Sequence, residues 1–346
     1  MRAFCCPRCS QLVPFEAVGC LSCGTALGFA PDAGEIVAAD DRARCANQFL
    51  AGCNWLLAPG EAAGGLCLSC RLTRTRPHDA DLAADSQVAV AFREAEAAKR
   101  RLVFQFLELG FPLIPHDGGQ GLAFDLRSSK AGPVVTGHAD GIITIDLAEG
   151  DDAHRKQMRR ELGEPYRTML GHLRHESGHY FWTLLVGRDP AALEQFRCLF
   201  GDERSDYRAA LDRHYGQGPP AEWVNRYVSA YATAHPWEDW AETFAHYLHI
   251  RDTLQTAASF GMLVTGLGGA RDPELMSVPS PEPEDRFEDI LDDWLPLTYA
   301  LNAVNRSMGR DDLYPFVLSE AVVTKLSFVH CLVLPFSLAR PLPARS

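Results

Sequence analysis

The 346-residue sequence contains no apolar run of about 18 residues and no positively charged, apolar leader at its amino terminus. Because a membrane-spanning helix needs the first and a secretory signal needs the second, we expect neither membrane spanning nor secretion. Basic residues are also in deficit, since 33 Lys and Arg face 45 Asp and Glu and the net charge is −12. This balance argues against a nucleic-acid partner, because phosphate contacts require clustered basic side chains.

Cysteine is nearly absent from the later part of the chain, since nine of the eleven cysteines precede residue 71. Four of them form two Cys-x-x-Cys pairs, Cys6 with Cys9 and Cys20 with Cys23. Such paired spacing brings four thiolates around one Zn²⁺ ion, as in a zinc ribbon. Disulfide bonds are the alternative, and the adjacent Cys5 is interpreted as a spare thiol. A segment of this size buries too little surface to fold alone, so metal would supply much of its folding energy.

A second cysteine set follows and is interpreted as another structural zinc site with four thiolates: Cys45, Cys53, Cys67 and Cys70. Free core cysteines or a redox pair are the alternatives. The two remaining cysteines, Cys198 and Cys331, are isolated in the sequence, and we expect both to be buried apolar residues. Cysteines in metal-type spacing fit a reducing compartment, so a cytoplasmic location is expected.

The most informative segment reads His175-Glu176-Ser177-Gly178-His179. Residues four apart lie on one face of a helix, so His175 and His179 can bind one metal ion. In the H-E-x-x-H motif of zinc peptidases, the glutamate is the general base for a zinc-activated water, and Glu176 takes that position. Gly178 costs about 1 kcal/mol of helix propensity, which predicts close packing against another element.

The surroundings of the motif favour a helix preceded by a small sheet. Pro165 suits a first turn, and the apolar spacing predicts a helix over 166–186. Upstream, a hairpin is predicted from strands 133–136 and 142–145 around a turn at Asp140-Gly141. Other predicted helices are 86–109 with Ser86 as its N-cap, 151–162, and a helical region over 287–334 that is followed by a frayed tail from Pro335.

A catalytic zinc takes three protein ligands, so a third must be found for the two histidines. Glu238 and Glu242 follow Pro236, which favours a helix start, and their spacing places both carboxylates on one helix face. One of them can bind zinc while the other accepts a hydrogen bond from a ligand imidazole. Two solvated surface acids are the alternative.

The stretch Glu238-Asp239-Trp240-Ala241-Glu242-Thr243-Phe244 resembles the Glu-aromatic-aromatic-Ala-Glu-x-Phe segment of gluzincin peptidases, such as the lethal-factor toxin group. The resemblance implies that Glu238 is the third zinc ligand and that Glu242 supports a ligand histidine. It further implies that Tyr231, seven residues before Glu238, steadies the oxyanion. The sequence departs from this group at Asp239, where those relatives carry an aromatic residue.

This departure keeps a second assignment open, in which Glu242 is the ligand and His246 supports it. His235, just before the predicted helix, is a weaker candidate for stabilising the transition state. A loop histidine without a role is the alternative for that residue.

Several segments together resemble one bacterial family, the zinc-binding metallopeptidases with an N-terminal zinc ribbon. They are the ribbon itself, Cys53-Asn54-Trp55, residues 174–180, residues 200–207 and the downstream Trp-Ala-Glu stretch. Within residues 200–207, four polar residues could bound a cleft or hold a second cation, and a charged helix turn is the favoured alternative: Asp202, Glu203, Asp206 and Tyr207. The resemblance implies a zinc ribbon followed by a peptidase domain.

The predicted fold is α+β, a mainly helical zincin-type domain with a small β-sheet, preceded by Cys₄ zinc-ribbon modules. The predicted divisions are a ribbon over 1–30, a second Cys₄ segment with a linker over 31–80, a catalytic domain over 81–336 and a tail over 337–346. The predicted function is hydrolysis of amide bonds in a peptide or protein substrate, with one catalytic and one or two structural Zn²⁺ ions. The alternative is an adaptor that binds a protein or nucleic acid through its ribbon and carries an inactive or latent zincin body.

Metal content tests the ligand assignment. We expect His175→Ala and Glu238→Ala each to lose about one zinc ion per chain, because each removes a ligand of a three-ligand site. Glu242→Ala should retain that ion, because its carboxylate contacts a ligand rather than the metal. Elemental analysis of the purified variants gives the count. An unchanged count in all three variants would favour the adaptor.

Overall fold

The computed structural model describes residues 2–40, 42–118, 121–150, 168–264, 278–282 and 284–339. These divide into two units, Met1–His154 with Ala339–Ser346, and Arg155–Leu338. The predicted helix over 151–162 and Pro165 lie outside the described residues.

The first unit begins with two antiparallel strand pairs, β1 (Phe4–Cys5) with β2 (Leu12–Val13) and β3 (Leu27–Ala30) with β4 (Glu35–Ala38). Aromatic rings fill the space beside them, with neighbouring centroids 4.8 to 6.4 Å apart. Rings at this spacing in edge-on or tilted arrangements add to the hydrophobic stabilisation. The cluster consists of Phe4, Phe15, Phe29, Trp55 and Phe104.

In its described part, this unit also contains three α-helices and a four-stranded sheet. The helices are α1 (Leu68–Arg71), α2 (Asp79–Ala84) and α3 (Ser86–Glu108). The sheet contains β5 (Thr73–Thr75), β6 (Ala123–Arg127), β7 (Gly137–Ala139) and β8 (Ile142–Asp146) in the order β5-β6-β8-β7. Strand β6 is parallel to β5 and β8, whereas β7 is antiparallel to β8.

Two sequence predictions in this unit need correction. The hairpin turn falls at Asp140-Gly141 as predicted, but its first strand is β7 and not 133–136. Both turn residues have positive φ angles, 50° and 83°, and a two-residue turn of this type fixes the register directly beside it. The N-cap of α3 is Asp85, whose side chain accepts from the amides of Gln87 and Val88; Ser86 is already helical.

The second unit consists of six helices in its described part. They are α4 (Met169–Leu185), α5 (Pro190–Phe200), α6 (Tyr207–Gln217), α7 (Pro236–Ser259), α8 (Phe287–Ser307) and α9 (Glu320–Ala339). The predicted helical region over 287–334 is therefore two helices, separated by a non-helical segment in which Tyr314 is buried. The predicted frayed tail is also wrong up to Ala339, because α9 continues through Pro335. Cys198 and Cys331 are exposed on their helices rather than buried.

One helix, α9, is long and apolar enough to cross a membrane by length and composition alone, with a mean hydropathy of 1.7 in its 18-residue window. About 39% of that window is buried within the protein. Core helices of soluble proteins pass the same test, so this is weak evidence of a membrane span.

Helices α4 and α7 cross in close contact at Gly178. A Cβ atom at this position would lie 3.0 Å from the Cα of Ala241 and 3.4 Å from the Cβ of Phe244. The indole nitrogen of Trp240 donates to the carbonyl oxygen of Gly178 across the same crossing, at 2.8 Å. The close packing predicted from Gly178 is therefore confirmed, and it brings the backbones of the two helices together.

Replacement of Gly178 by alanine tests this crossing. We expect Gly178→Ala to lower the free energy of unfolding by about 1–2 kcal/mol, because overpacking against the α7 backbone outweighs the gain in helix propensity. A Cβ atom on Gly216 of α6 would meet no other atom within 4 Å, so Gly216→Ala should instead stabilise by about 0.5–1 kcal/mol. Urea denaturation with zinc present measures both. Equal effects of the same sign would contradict the close approach.

Candidate metal centre

The histidine motif lies in the middle of α4. The helix begins after Thr168, whose side chain accepts a hydrogen bond from the amide of Gly171 at 2.9 Å. This satisfies one of the amides that a helix start leaves without an intrahelical partner. Leu173 and Phe181 are fully buried and anchor the helix, while the side chains of His175 and His179 lie one turn apart.

Helix α7 supplies the acidic side chains. Pro236 is its first residue, and the side chain of His235 caps it by accepting from the amide of Trp237 at 3.1 Å. The second nitrogen of His235 lies 3.1 Å from the carbonyl oxygen of Ser205. His235 therefore acts as a cap that ties the start of α7 to the loop before α6, which gives this histidine a structural role.

Three of the predicted ligands converge between the two helices. One donor atom from each of His175, His179 and Glu238 lies within 4.8 Å of the other two. The Oε2 atom of Glu238 is 3.0 Å from Nε2 of His175 and 3.6 Å from Nε2 of His179. Two imidazole nitrogens and a carboxylate oxygen form a donor set typical of a catalytic zinc site. The residues therefore fit a zinc ion.

The charges and hydrogen bonds of this group favour an ionised carboxylate at Glu238 despite its burial. Burial by itself would raise the pKa of Glu238, but the charges of His179 and His175 and their hydrogen bonds hold it well below the usual value. Glu238 is only 1% exposed, so its charge needs a compensating cation or strong hydrogen bonds. A metal ion at the converging atoms meets that need.

Glu242 contacts a histidine of the group from its other side. Its Oε1 atom is 2.6 Å from Nδ1 of His175, and its Oε2 atom accepts from the hydroxyl of Ser229 at 2.6 Å. A carboxylate on the second imidazole nitrogen fixes the tautomer and the ring orientation of a metal ligand. His246 instead lies against the Tyr314 hydroxyl, 2.7 Å from its Nδ1, and burial lowers its pKa to about 4.

Glu176 lies beside the group and is buried. Burial alone would raise its pKa, but a hydrogen bond from His172 and the charges of the neighbouring histidines lower it to about 2. The Nε2 atom of His172 is 3.2 Å from Oε1 of Glu176. Among the residues that the structure describes, Oε2 of Glu176 has no hydrogen-bond partner. An ionised carboxylate oxygen is thus available to accept a proton next to the metal position.

Two tyrosines also lie at the group. The ring of Tyr231, in a 3₁₀ turn over Tyr231–Thr233, is 5.9 Å from the ring of His175. The hydroxyl of Tyr207 donates to Oε1 of Glu238 at 2.7 Å. The predicted residue Tyr231 is therefore near the ligands, and Tyr207 contacts one of them directly.

The remaining acids of the predicted polar cluster have other partners. Glu203 pairs with Arg197, Asp202 pairs with Arg204, and the side chain of Asp206 caps α6 by accepting from the amide of Ala209. Two of these carboxylates thus form ion pairs with arginine side chains, and the third caps the start of a helix. This arrangement corresponds to the charged-turn interpretation of the cluster rather than to a second cation site.

Two residues at the site, His172 and Ser229, had no assigned role in the sequence analysis, and Tyr207 was named there only as a member of the polar cluster that could bound a cleft. His172 lies four residues before Glu176, so helical spacing could have identified it. Tyr207 and Ser229 reach the site through long-range folding, and no local pattern predicts their contacts with Glu238 and Glu242.

Asp239, which departs from the gluzincin pattern, points away from the metal ligands. Its Oδ2 atom forms a buried ion pair with the ammonium group of Lys325 on α9, at 2.6 Å. The same ammonium group lies over the ring of Tyr227 at 4.4 Å from the centroid and over that of Phe200 at 5.3 Å. Asp239 therefore anchors the start of α7 to α9, a task that an aromatic residue could not perform by charge.

Both cysteine sets assemble as predicted groups of four. In the first, Cys6 lies 3.7 Å from Cys23 and Cys9 lies 3.6 Å from Cys20, between sulfur atoms. The second set is fully buried, with 3.7 Å between the sulfur atoms of two members, and consists of Cys45, Cys53, Cys67 and Cys70. Cys5 is exposed and belongs to neither group.

Comparison with known proteins agrees with this architecture. Residues 89–332 match the family described as "Putative zinc-binding metallo-peptidase", and residues 3–81 match a zinc-ribbon domain. The chain belongs to this metallopeptidase family. Its relatives include proteins of Mycobacterium tuberculosis and Mycobacterium bovis, described as uncharacterized, that are 51% identical over 338 residues, which is 96% of this chain and 95% of theirs. No solved structure matches the chain.

Membership of the metallopeptidase family confirms the resemblance stated from the motifs. The described part of the chain is mainly helical with small sheets, so the predicted α+β class with N-terminal cysteine modules is confirmed as well. The family description and the two Cys₄ groups support zinc as the metal. The predicted division of the chain into domains stays a prediction.

Removal of the Lys325 charge tests the anchor of α7. We expect Lys325→Met to lower the free energy of unfolding by about 2–4 kcal/mol, because the buried Asp239 would lose its partner and burial already raises the pKa of this carboxyl to about 7. Adding Asp239→Asn should recover part of this loss by removing the unpaired acid. Urea denaturation at saturating zinc measures the three proteins. Arg306→Met, which removes the exposed pair with Asp312, is the control and should change little.

Proposed function

We propose that this chain is a zinc-dependent metallopeptidase whose centre hydrolyses amide bonds in peptides or proteins. The observation that carries the proposal is the position of Glu176. A buried, ionised carboxylate with a free oxygen lies beside a group of three metal-type donors. A purely structural zinc site has no need of such a base, and it is normally closed by a fourth protein ligand. No fourth donor belongs to this group in the described ranges.

The ligands in this proposal are His175, His179 and Glu238, with Glu242 holding the ring of His175. When bound there, zinc would polarise the substrate carbonyl and make a water molecule more acidic. The protein contributes a fixed arrangement of donors, because Glu242, itself held by Ser229, sets the orientation of His175.

Proton transfer in this proposal belongs to Glu176. Its free oxygen accepts a proton from the attacking water and then delivers that proton to the leaving amine nitrogen, so that the base is regenerated at the end of the cycle. His172 holds the other oxygen and thereby orients the carboxylate. Tyr231 is assigned to the oxyanion that develops on the carbonyl oxygen, where a preorganised donor is worth a few kcal/mol.

The surroundings of the protein are part of the same proposal. We propose a cytoplasmic enzyme without a membrane or nucleic-acid partner. Its zinc ribbon, with two thiolates partly open to solvent, would be the surface for a protein partner. The adaptor alternative shares this ribbon and differs in predicting no turnover at the histidine centre.

Replacement of the base tests the proposal. We expect Glu176→Gln to lower the rate of hydrolysis by about 10²–10⁴-fold while the zinc content stays at the wild-type value, because the base is lost and the ligands are kept. Fluorogenic peptide libraries cleaved by the full-length protein give the rate, and elemental analysis gives the zinc content.

Glu194→Gln, an exposed acid on α5, is the matched control and should be as active as the wild type. A wild-type protein that holds zinc at the histidine centre and cleaves nothing in the library would favour the adaptor. Equal rates for the wild type and Glu176→Gln would rule out the assigned role of Glu176.

A further inference from the structure

The two oxygens of the Glu238 carboxylate have different partners. Oε2 faces both histidines of the candidate metal centre, at 3.0 and 3.6 Å from their Nε2 atoms. Oε1 accepts a hydrogen bond of 2.7 Å from the hydroxyl of Tyr207. One oxygen of Glu238 therefore faces the metal position, and the other accepts a hydrogen bond from Tyr207.

Tyr207 is well fixed for this task. It is the first residue of α6, directly after the N-cap Asp206, and its ring packs edge-on against His235 at 5.2 Å between centroids. His235 in turn caps α7 and contacts the carbonyl oxygen of Ser205. His235 thus joins the helix that carries Glu238 to the loop directly before Tyr207.

The hydroxyl of Tyr207 also remains a donor under ordinary conditions. An ordinary tyrosine hydroxyl is protonated at neutral pH. A protonated phenol beside a carboxylate donates a hydrogen bond to it, because an ionised carboxylate can only accept.

We propose that Tyr207 is a positioning residue that restricts Glu238 to metal binding through a single oxygen, Oε2. The inference rests on the proposed function, because it assumes that the histidine centre holds a catalytic metal. Family membership and the sequence motifs do not assign this residue.

The restriction matters because a carboxylate can bind a metal through one oxygen or through two. Three ligands that each offer one atom leave a fourth tetrahedral position for water or substrate. If Oε1 also turned to the metal, it would occupy coordination space that the reaction requires. The Tyr207 hydrogen bond engages Oε1 elsewhere and so keeps that space open.

Cobalt substitution of the full-length protein tests the inference. Co²⁺ replaces zinc, and its visible absorption is strong in four-coordinate sites and weak when a fifth ligand is added. The spectrum of Co²⁺-loaded His175→Ala is subtracted from each spectrum to remove the contribution of the cysteine sites. The proteins compared are the wild type, Tyr207→Phe and, as matched control, Tyr299→Phe, which alters a tyrosine that is 68% exposed on α8.

We expect Tyr207→Phe to lose visible intensity in the difference spectrum, whereas Tyr299→Phe keeps the wild-type spectrum. Chelator competition should also give a weaker zinc affinity for Tyr207→Phe by about 10-fold or more, because a ligand loses its hydrogen bond. The variant lacks only a hydroxyl and retains the ring contacts, so its circular dichroism should match that of the wild type.

A Tyr207→Phe protein with the wild-type difference spectrum and zinc affinity overturns the positioning role and leaves the proposed function intact. A wild-type difference spectrum without any absorption means that the histidine centre binds no metal. That result overturns the proposed function and this inference with it.

Discussion

The crossing of α4 and α7 at Gly178 determines the geometry of the candidate metal centre. The two helices approach so closely that a single additional carbon atom would touch the backbone of Ala241. At that separation, side chains one turn from Gly178 on α4 reach those of the facing turn on α7. The histidine pair and Glu238 can converge only because no larger side chain lies between their helices.

The polar residues around this crossing form layers of increasing distance from the metal position. The candidate ligands lie nearest to it. Glu242 and Tyr207 contact these ligands, and Ser229 and His235 contact Glu242 and Tyr207 in turn. Each buried charge in these layers has a partner, which is the condition for keeping charge inside a protein. The ion pair between Asp239 and Lys325 extends the same principle to the packing of α7 against α9.

The sequence predicted the parts of this arrangement that depend on local spacing. Helical periodicity was sufficient for the pair His175 and His179 and for the shared face of Glu238 and Glu242, and the propensity cost of a glycine inside a helix indicated the close contact at Gly178. Cysteine spacing was likewise sufficient for both groups of four. Residues such as Tyr207 and Lys325 could not be predicted, because their contacts join segments far apart in the chain. The start of α3 was misplaced by one residue, because its cap is Asp85 and not Ser86. The first hairpin strand was misplaced because the tight turn at Asp140-Gly141 pairs the residues directly beside it.

All three candidate ligands lie on two helices, and the segment between those helices supplies none of them. That segment does supply Tyr207, which donates to Glu238, Tyr231, which lies against His175, and Ser229, which donates to Glu242. Part of the set of side chains that surround the candidate ligands therefore comes from a different stretch of sequence than the ligands themselves. Substitutions confined to residues 186–235 would therefore change the surroundings of the candidate ligands without removing any of them.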